Sequence, residues 1–342
     1  MKTNLIKKLL FLTSIFSQVC LGWEAGQLPK NILQMDSKFT HHVFLVEKST
    51  HQLHIFANNQ GRPQHIKTYK IATGKAVGDK KIQGDHKTPE GVYQLTTFLS
   101  EKDLINRYRD QAKIYGPGAF TMNYPNVIDR REGKTGGGIW LHSTDDNTRV
   151  DKGLDSRGCV VVVDTDLKNV SQYIELQNTD IIVVQDIHLL KEDTWNKNRS
   201  DINQVIQNWK MAWETENLND YIDQYHPREF TRTTGKEMAQ FRNYKRAVFS
   251  HPGQPKIDLK NISILVSDDY AVAHMEQHYE SSILPFEAGK KTLYFQRDNE
   301  YRWRIVHESW QRLPNPTDVA FKPSMARFFQ DGQVDSDSGS NI

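Results

Sequence analysis

The stretch IWLHSTDDNTRVDKGLDSRGCVVV, residues 139–162, joins two apolar runs through a polar connection rich in Asp, Asn and Gly. Short apolar runs bounded by turn residues read as strands. His142 and Cys159, seventeen positions apart, therefore belong to two strands that flank one connection and should lie side by side. Cys159 is one of only two cysteines in 342 residues, the other being Cys20. A small buried hydrophobe is one reading of such a thiol. The other is a nucleophile with an imidazole beside it to take its proton and return it to a leaving group.

Outward from this stretch, residues 41–98 alternate with period two, and Asn58-Asn59-Gln60-Gly61 marks a hairpin turn. Pro89 and Gly91 punctuate the entry to a further strand, 101–116 has helical composition, and a last apolar strand centres on Ile181–Val184. The first unit is expected over 41–187, β-rich with one or two helices, after a linker at 23–40. A charged connector follows at 188–200. From Ser200 or Asp201, either of which can cap a helix, Ile202, Val205, Ile206, Trp209 and Trp213 share one helical face. A second helical stretch runs from Leu218 to Tyr225 and closes at Pro227. Long strands come after 258, with a turn at Asp298-Asn299, and Tyr301, Trp303 and Ile305 alternate with Arg302 and Arg304 to give one buried and one wet face. Helices followed by antiparallel strands make a separate unit over 201–315, so the fold class is α+β in two units. The tail 316–342, above all QDGQVDSDSGSNI, has too little apolar surface to order itself.

Residues 1–22 read as a signal peptide: Lys2, Lys7 and Lys8 precede the eleven-residue run LLFLTSIFSQV, with cleavage expected after Gly22. The run is shorter than the roughly 20 residues a membrane span needs. Val19 before Cys20 does not suit a lipobox. Removal of the leader would leave Cys159 with no partner in an oxidising compartment, which argues for a chemical reason to keep it. A net charge of +2 gives no basic footprint for nucleic acid.

Around the thiol, Gly158 lets the backbone approach a carbonyl, the N–H groups near Gly158 and Cys159 are candidate oxyanion donors, and the Ser156 hydroxyl is placed to brace the turn. Arg157 suits a substrate carboxylate because its planar fork binds one bidentately. His86 is a candidate substrate contact or, alternatively, a solvated turn histidine.

His142 and the Ser156-Arg157-Gly158-Cys159 run resemble the signature of the YkuD-type L,D-transpeptidases. Gly74, Lys75, Thr88, Pro89 and Gly91 are similar to that family's upstream Gly-Lys and Thr-Pro-x-Gly motifs. The resemblance covers about 41–187 and implies a β-rich catalytic fold, peptidoglycan stem peptides as substrate and an acyl-enzyme on Cys159. His142 would be general base and acid, oriented by the backbone carbonyl of Ser143, and the bond attacked would be the L–D bond before D-Ala. Val160-Val161 stand where most members carry an aliphatic residue and arginine, and Ser143 stands where glycine is common. The two-unit layout resembles cell-shape L,D-carboxypeptidases with a C-terminal nuclear-transport-factor-like domain. Periplasmic trimming of tetrapeptide stems to tripeptides is therefore the expected activity. Crosslinking, release or attachment of a wall-bound protein, and a non-catalytic peptidoglycan-binding module are the alternatives.

Gly-Lys-Thr at 133–135 lacks the glycine a phosphate loop needs five positions earlier, where Ile128 stands. His274 and His278 share a strand face without a third ligand, so no metal and no cofactor are expected. His41 and His42 are expected in solvent at a strand entrance. Trp209, Trp213, Trp303 and Trp310 are expected mostly in the core, with room for one or two to line a glycan or peptide pocket in the second unit.

Overall fold

The computed structural model describes residues 26–251, 253–313 and 321–329. The segments expected as a signal peptide (1–22) and as the end of the tail (330–342) lie outside the described residues. The described residues open with β1 (Gln27–Pro29) and β2 (Ile32–Gln34). The first unit follows as β3 (His42–Glu47), β4 (Gln52–Asn59), β5 (Arg62–Lys70), β6 (Thr73–Gly74), β7 (Gly91–Ser100), α1 (Glu101–Tyr108), β8 (Gly118–Met122) and α2 (Val127–Arg131). It continues through β9 (Trp140–His142), α3 (Thr148–Lys152), β10 (Leu154–Ser156), β11 (Val160–Val161), α4 (Asp164–Ser171) and β12 (Asp180–Val184). β13 (Leu189–Lys191) leads into α5 (Glu192–Glu214), α6 (Leu218–Asp223), α7 (Glu229–Thr234) and α8 (Met238–Phe249). The last strands are β14 (Lys256–Val266), β15 (Ala271–Glu280), β16 (Glu287–Arg297) and β17 (Trp303–Arg312).

Eight strands form one mixed sheet in the order β11-β9-β8-β7-β12-β3-β4-β5, and five form the second in the order β17-β16-β15-β14-β2. The central strands of the first sheet are apolar on both faces, as a strand covered on both sides must be. Phe44 and Val46 of β3, and Ile181 and Val183 of β12, face a core shared with α4. Their neighbours Val43, Leu45, Ile182 and Val184 face the opposite way, onto Leu265, Val272 and Val306 of the second sheet. The other face of the second sheet packs on Trp195, Ile202, Ile206 and Trp209 of α5, with Tyr221, Tyr225 and Phe241. The molecule is thus layered helix, sheet, sheet, helix.

Several sequence expectations change here. The linker at 23–40 contains β1 and β2, and β2 is the edge strand of the second sheet, paired with β14 (Leu265↔Ile32). The Trp195 indole N–H locks it by donating to Ile32 O at 2.9 Å. The connector at 188–200 is β13 plus the first turns of α5, which starts at Glu192 rather than at Ser200 or Asp201. Its polar sequence hides one fully buried residue, Trp195, a single anchor too sparse to show as a period. α7 and α8 were not legible for the same reason, since α8 buries only Phe241 and Lys245. Of the expected wet face, Arg302 is exposed but Arg304 on β17 is covered: it is 6% exposed, paired with Asp298 (3.0 Å) and Asp223 (2.9 Å), while Tyr301, expected on the buried face, lies exposed in the turn. Part of the expected tail is ordered against the molecule. Residues 321–329 return to the first unit, where Phe328 and Phe329 pack on Phe98 and Arg327 donates to Ile174 O at 2.6 Å. His41 is buried rather than solvated, stacked on Phe321 at 3.7 Å. Nothing in an Asp- and Ser-rich tail signals that its few phenylalanines have a pocket to enter.

Polar contacts also cross between the sheets. The Tyr270 hydroxyl accepts from Val92 N (2.7 Å) and from Asn126 Nδ2 (2.8 Å), and Thr40 Oγ1 donates to Ser263 Oγ (2.8 Å). His274 and His278, weighed above as metal ligands, are taken up by Asp180 (3.3 Å) and Glu276 (2.8 Å) respectively. Because the two sheets share one core, urea denaturation should give a single cooperative transition. Tyr270→Phe, which orphans two buried donors, should lower stability by roughly 1–3 kcal/mol without splitting it. Two separate transitions in the wild type would show that the units fold independently.

Candidate active site

β9 and β11 run parallel at one edge of the large sheet, with Val161 opposite His142. Side chains two apart on a strand share a face, so Cys159 at the start of β11 lies on the same face as His142. The approach to Cys159 is shaped by the glycine and threonine motifs upstream. β6 pairs with β10, placing Gly74 beside Ser156, and Lys75 N donates to Ser156 O at 2.9 Å. Gly74 N in turn donates to Thr88 Oγ1 at 2.8 Å. A Cβ on Gly74 would stand 2.3 Å from His86 O, so the motif positions are set by close backbone approach.

The nucleophile turn is braced by one hydroxyl. Ser156 Oγ donates to Cys159 O at 2.6 Å and accepts from Gly158 N at 3.0 Å. Gly158 has φ +124°, and a Cβ there would meet Lys87 O at 2.7 Å, so glycine is required on two counts. The brace has a consequence for the expected oxyanion donors: the Gly158 N–H is already committed to Ser156 and does not face the cavity as a free donor.

His142 is 3% exposed, and its Nδ1 donates to Ser143 O at 2.5 Å, which leaves Nε2 as the acceptor. Burial lowers its pKa to about 4, against the opposing pull of the Ser143 carbonyl. Burial likewise pushes the Cys159 thiol up to about 11, countered in part by its contact with the Trp140 backbone and by the charges of Arg149 and Lys80. At neutral pH the pair is a thiol and a neutral imidazole. This is the opposite of a preformed thiolate. Cys159 Sγ also donates to Gly138 O at 3.5 Å.

Both side chains open into a cavity of about 610 Å³. Lys75, Arg149, Lys152 and Arg157 line it, with Asp145, Asp146 and Asp155. Arg149 Nε is bound to Asp155 Oδ2 (2.5 Å) and its Nη1 to Thr144 Oγ1 (3.1 Å), so it serves as a strut. Lys75 and Arg157 make no ion pair among the described residues. Tyr115 packs edge-on against His142 at 5.0 Å. The structure therefore brings together Cys159, His142, Ser143, Ser156, Gly158 and Arg157. His86 does not line the cavity: it sits exposed on a turn at φ +56°. Sequence reading missed Tyr115, which lies outside the His142–Cys159 stretch, and Arg149, which lies on α3 within it, and quoted Lys75 only as part of a motif. Among the described residues no cluster of His, Cys, Asp and Glu is arranged to hold a metal ion. Likewise, none of their helices is long and apolar enough to cross a membrane.

The profile of the YkuD L,D-transpeptidase catalytic domain matches residues 41–184, and that of the Cds6 C-terminal NTF2-like domain matches 201–309. Bd1075 of Bdellovibrio bacteriovorus is 32% identical over 84% of this chain and 99% of its own, with a TM-score of 0.72. The helical cell shape determining protein Pgp2 of Campylobacter jejuni is 26% identical over 84% of this chain and 96% of its own, with a TM-score of 0.63. No curated protein gives a match. The chain belongs to the YkuD L,D-transpeptidase family, in the form that carries a C-terminal NTF2-like domain.

The neutral pair predicts how the thiol reacts. Alkylation of Cys159 by iodoacetamide should accelerate about tenfold per pH unit from neutrality upward with no plateau between pH 6 and 8. A plateau in that window would mean a thiolate–imidazolium pair instead.

Proposed function

We propose that the chain is an exported L,D-carboxypeptidase that trims peptidoglycan stem peptides, removing D-Ala from a tetrapeptide to leave a tripeptide. The observation that carries the reading is the meeting of Cys159 and His142 in one cavity with two cations, Lys75 and Arg157, that make no ion pair among the described residues. An enzyme that cuts off the last residue of a chain must recognise a terminal carboxylate, and unpaired cations beside the nucleophile suit that group. The family's usual arginine after the cysteine has no place here, because Val160 and Val161 are both 0% exposed in the core of β11's edge. Arg157, before the cysteine, takes that role in our reading. Periplasmic action accords with the signal-peptide features of residues 1–22.

The Cys159 sulfur attacks the carbonyl carbon of the third stem residue as its proton passes to His142 Nε2. The tetrahedral intermediate collapses, the C–N bond breaks, and the D-Ala amine leaves with the proton from His142. A thioester remains on Cys159. Water, deprotonated by His142, attacks the thioester carbon, and the tripeptide carboxylate leaves as the proton returns to the Cys159 sulfur. Ser143 holds the imidazole through its carbonyl, and Ser156 holds the turn that presents the sulfur.

Mass spectrometry of purified disaccharide-tetrapeptide after incubation with the chain tests the proposal. Loss of one D-Ala is expected with the wild type and none with Cys159→Ala. Arg157→Ala should raise KM roughly tenfold or more with a smaller change in kcat, through loss of a charge-assisted contact. Because His142 is neutral down to about pH 4, the acid limb of kcat/KM should fall below pH 6. Crosslinked dimers in place of D-Ala loss would identify an amine, not water, as the acceptor.

A further inference from the structure

Two stretches that the reaction itself does not use, the Gly133-Lys134-Thr135 run and the turn that carries His86, belong to loops that meet beside Cys159. Thr135 N donates to Lys81 O at 3.0 Å, and Gln83 N donates to Thr135 Oγ1 at 3.1 Å. A Cβ on Gly136, at φ +91°, would stand 3.2 Å from Gln83 Cα, so the two backbones touch there. Two residues on, Gly138 O accepts from Cys159 Sγ at 3.5 Å. Elsewhere the same 80–88 loop sets Lys87 O against Gly158, where a Cβ would stand 2.7 Å away. It also offers His86 O to Ala76 N at 3.2 Å. One loop therefore borders the residue before the nucleophile and steadies the segment that receives the thiol.

A single carboxylate organises that loop. The Asp85 side chain is 11% exposed, and its two oxygens accept four hydrogen bonds. Oδ1 takes Lys80 Nζ (2.7 Å) and Lys87 N (3.2 Å), and Oδ2 takes Lys81 N (2.8 Å) and Ile82 N (3.1 Å). Burial by itself would raise the Asp85 pKa, but the Lys80 ammonium and the three amides outweigh it and hold the carboxyl well below the usual range. Lys80 is 3% exposed, and its other acceptor is Ile82 O at 3.0 Å. All four bonds to Asp85 fall within residues 80–87, so its charge acts on the shape of this loop. Neither Asp85 nor Lys80 lines the catalytic cavity. The neighbouring Asp79 acts differently, tying the loop outward to Lys134 (2.8 Å) and Glu90 N (2.9 Å).

We propose that Asp85 is a positioning residue for the reaction at Cys159. By holding the 80–88 loop in one shape it sets two backbone contacts, Lys87 O against Gly158 and Gly138 O on the thiol, and these fix where the sulfur sits. The inference rests on the reading of Cys159 as the nucleophile. Displacing a reacting group by about 1 Å can slow a reaction about a hundredfold, so a loop that touches the nucleophile turn at two places has leverage on the rate. Asp85→Asn isolates the effect. It keeps the volume but replaces one acceptor oxygen by an NH2 group, which turns a donor toward either Lys80 and the Lys87 amide or the Lys81 and Ile82 amides. The loop then loses charge-assisted bonds that no other side chain supplies in the same place.

Two measurements on the full chain test this. In Asp85→Asn, kcat for D-Ala release from disaccharide-tetrapeptide should fall roughly tenfold or more with KM within about twofold, because Lys75 and Arg157 are not among the partners of Asp85. Alkylation of Cys159 by iodoacetamide at pH 7 should move the other way and accelerate about threefold or more, since a loosened turn admits water and relieves the burial that holds the thiol protonated. Trp195→Phe, which loses the bond to Ile32 O in the second unit, shows what lost stability alone does: a lower melting temperature with both rates unchanged. If Asp85→Asn melts below the assay temperature, Lys80→Met, which removes one of the four donors, should move both rates in the same directions by less. Wild-type rates in folded variants, a change confined to KM, or a lower melting temperature alone would overturn the proposal. If the wild type releases no D-Ala, the carboxypeptidase reading fails, and the alkylation contrast alone then decides the role of Asp85.

Discussion

The apolar face shared by the two sheets is the constraint on which the rest of the structure depends. Val43, Leu45, Ile182 and Val184 on one side and Leu265, Val272 and Val306 on the other are buried only because the two sheets meet. At about 1.5–3 kcal/mol for each large apolar side chain removed from water, half a dozen such residues contribute as much as the whole net stability of a typical domain, about 5–15 kcal/mol. Neither sheet would be stable with that face in water. The second unit is therefore part of the scaffold of the catalytic sheet. It also supplies the Tyr270 hydroxyl that holds Val92 and Asn126, the latter being the N-cap of α2.

From that scaffold the catalytic edge inherits its character. β9 and β11 lie at the end of the eight-stranded order, where the cavity can open while His142 stays almost wholly out of solvent. Burial of both partners disfavours both charged forms. The imidazole is held neutral and the thiol protonated. Fixed partners replace solvent: Ser143 O for the imidazole, Ser156 Oγ for the turn, and the Arg149–Asp155 pair as a strut for the cavity wall.

The sequence made the pieces with local signatures legible. His142 and Cys159 stand out through residue chemistry and through their places on two strands flanking one connection. The glycine and threonine motifs upstream proved to be points of close backbone approach. The α5 face from Ile202 to Trp209 showed its period, although the helix begins earlier, at Glu192, where Trp195 alone is anchored. What escaped were elements whose order comes from distant partners: β2, which needs β14; residues 321–329, which need the surface around Phe98; and Arg304, buried because Asp223 and Asp298 meet it.

The sequence by itself determined which family arrangement this is, because Cys159, His142 and the turn between Ser156 and Cys159 are local features. Tertiary structure alone decided the protonation state of that pair, committed the Gly158 N–H to Ser156, left His86 outside the cavity, and put Lys75 and Arg157 on its lining with no ion pair among the described residues. The physical reason is that residue identity and periodicity are written along the chain. Desolvation and charge pairing are set by groups that only folding brings within a few ångströms of one another.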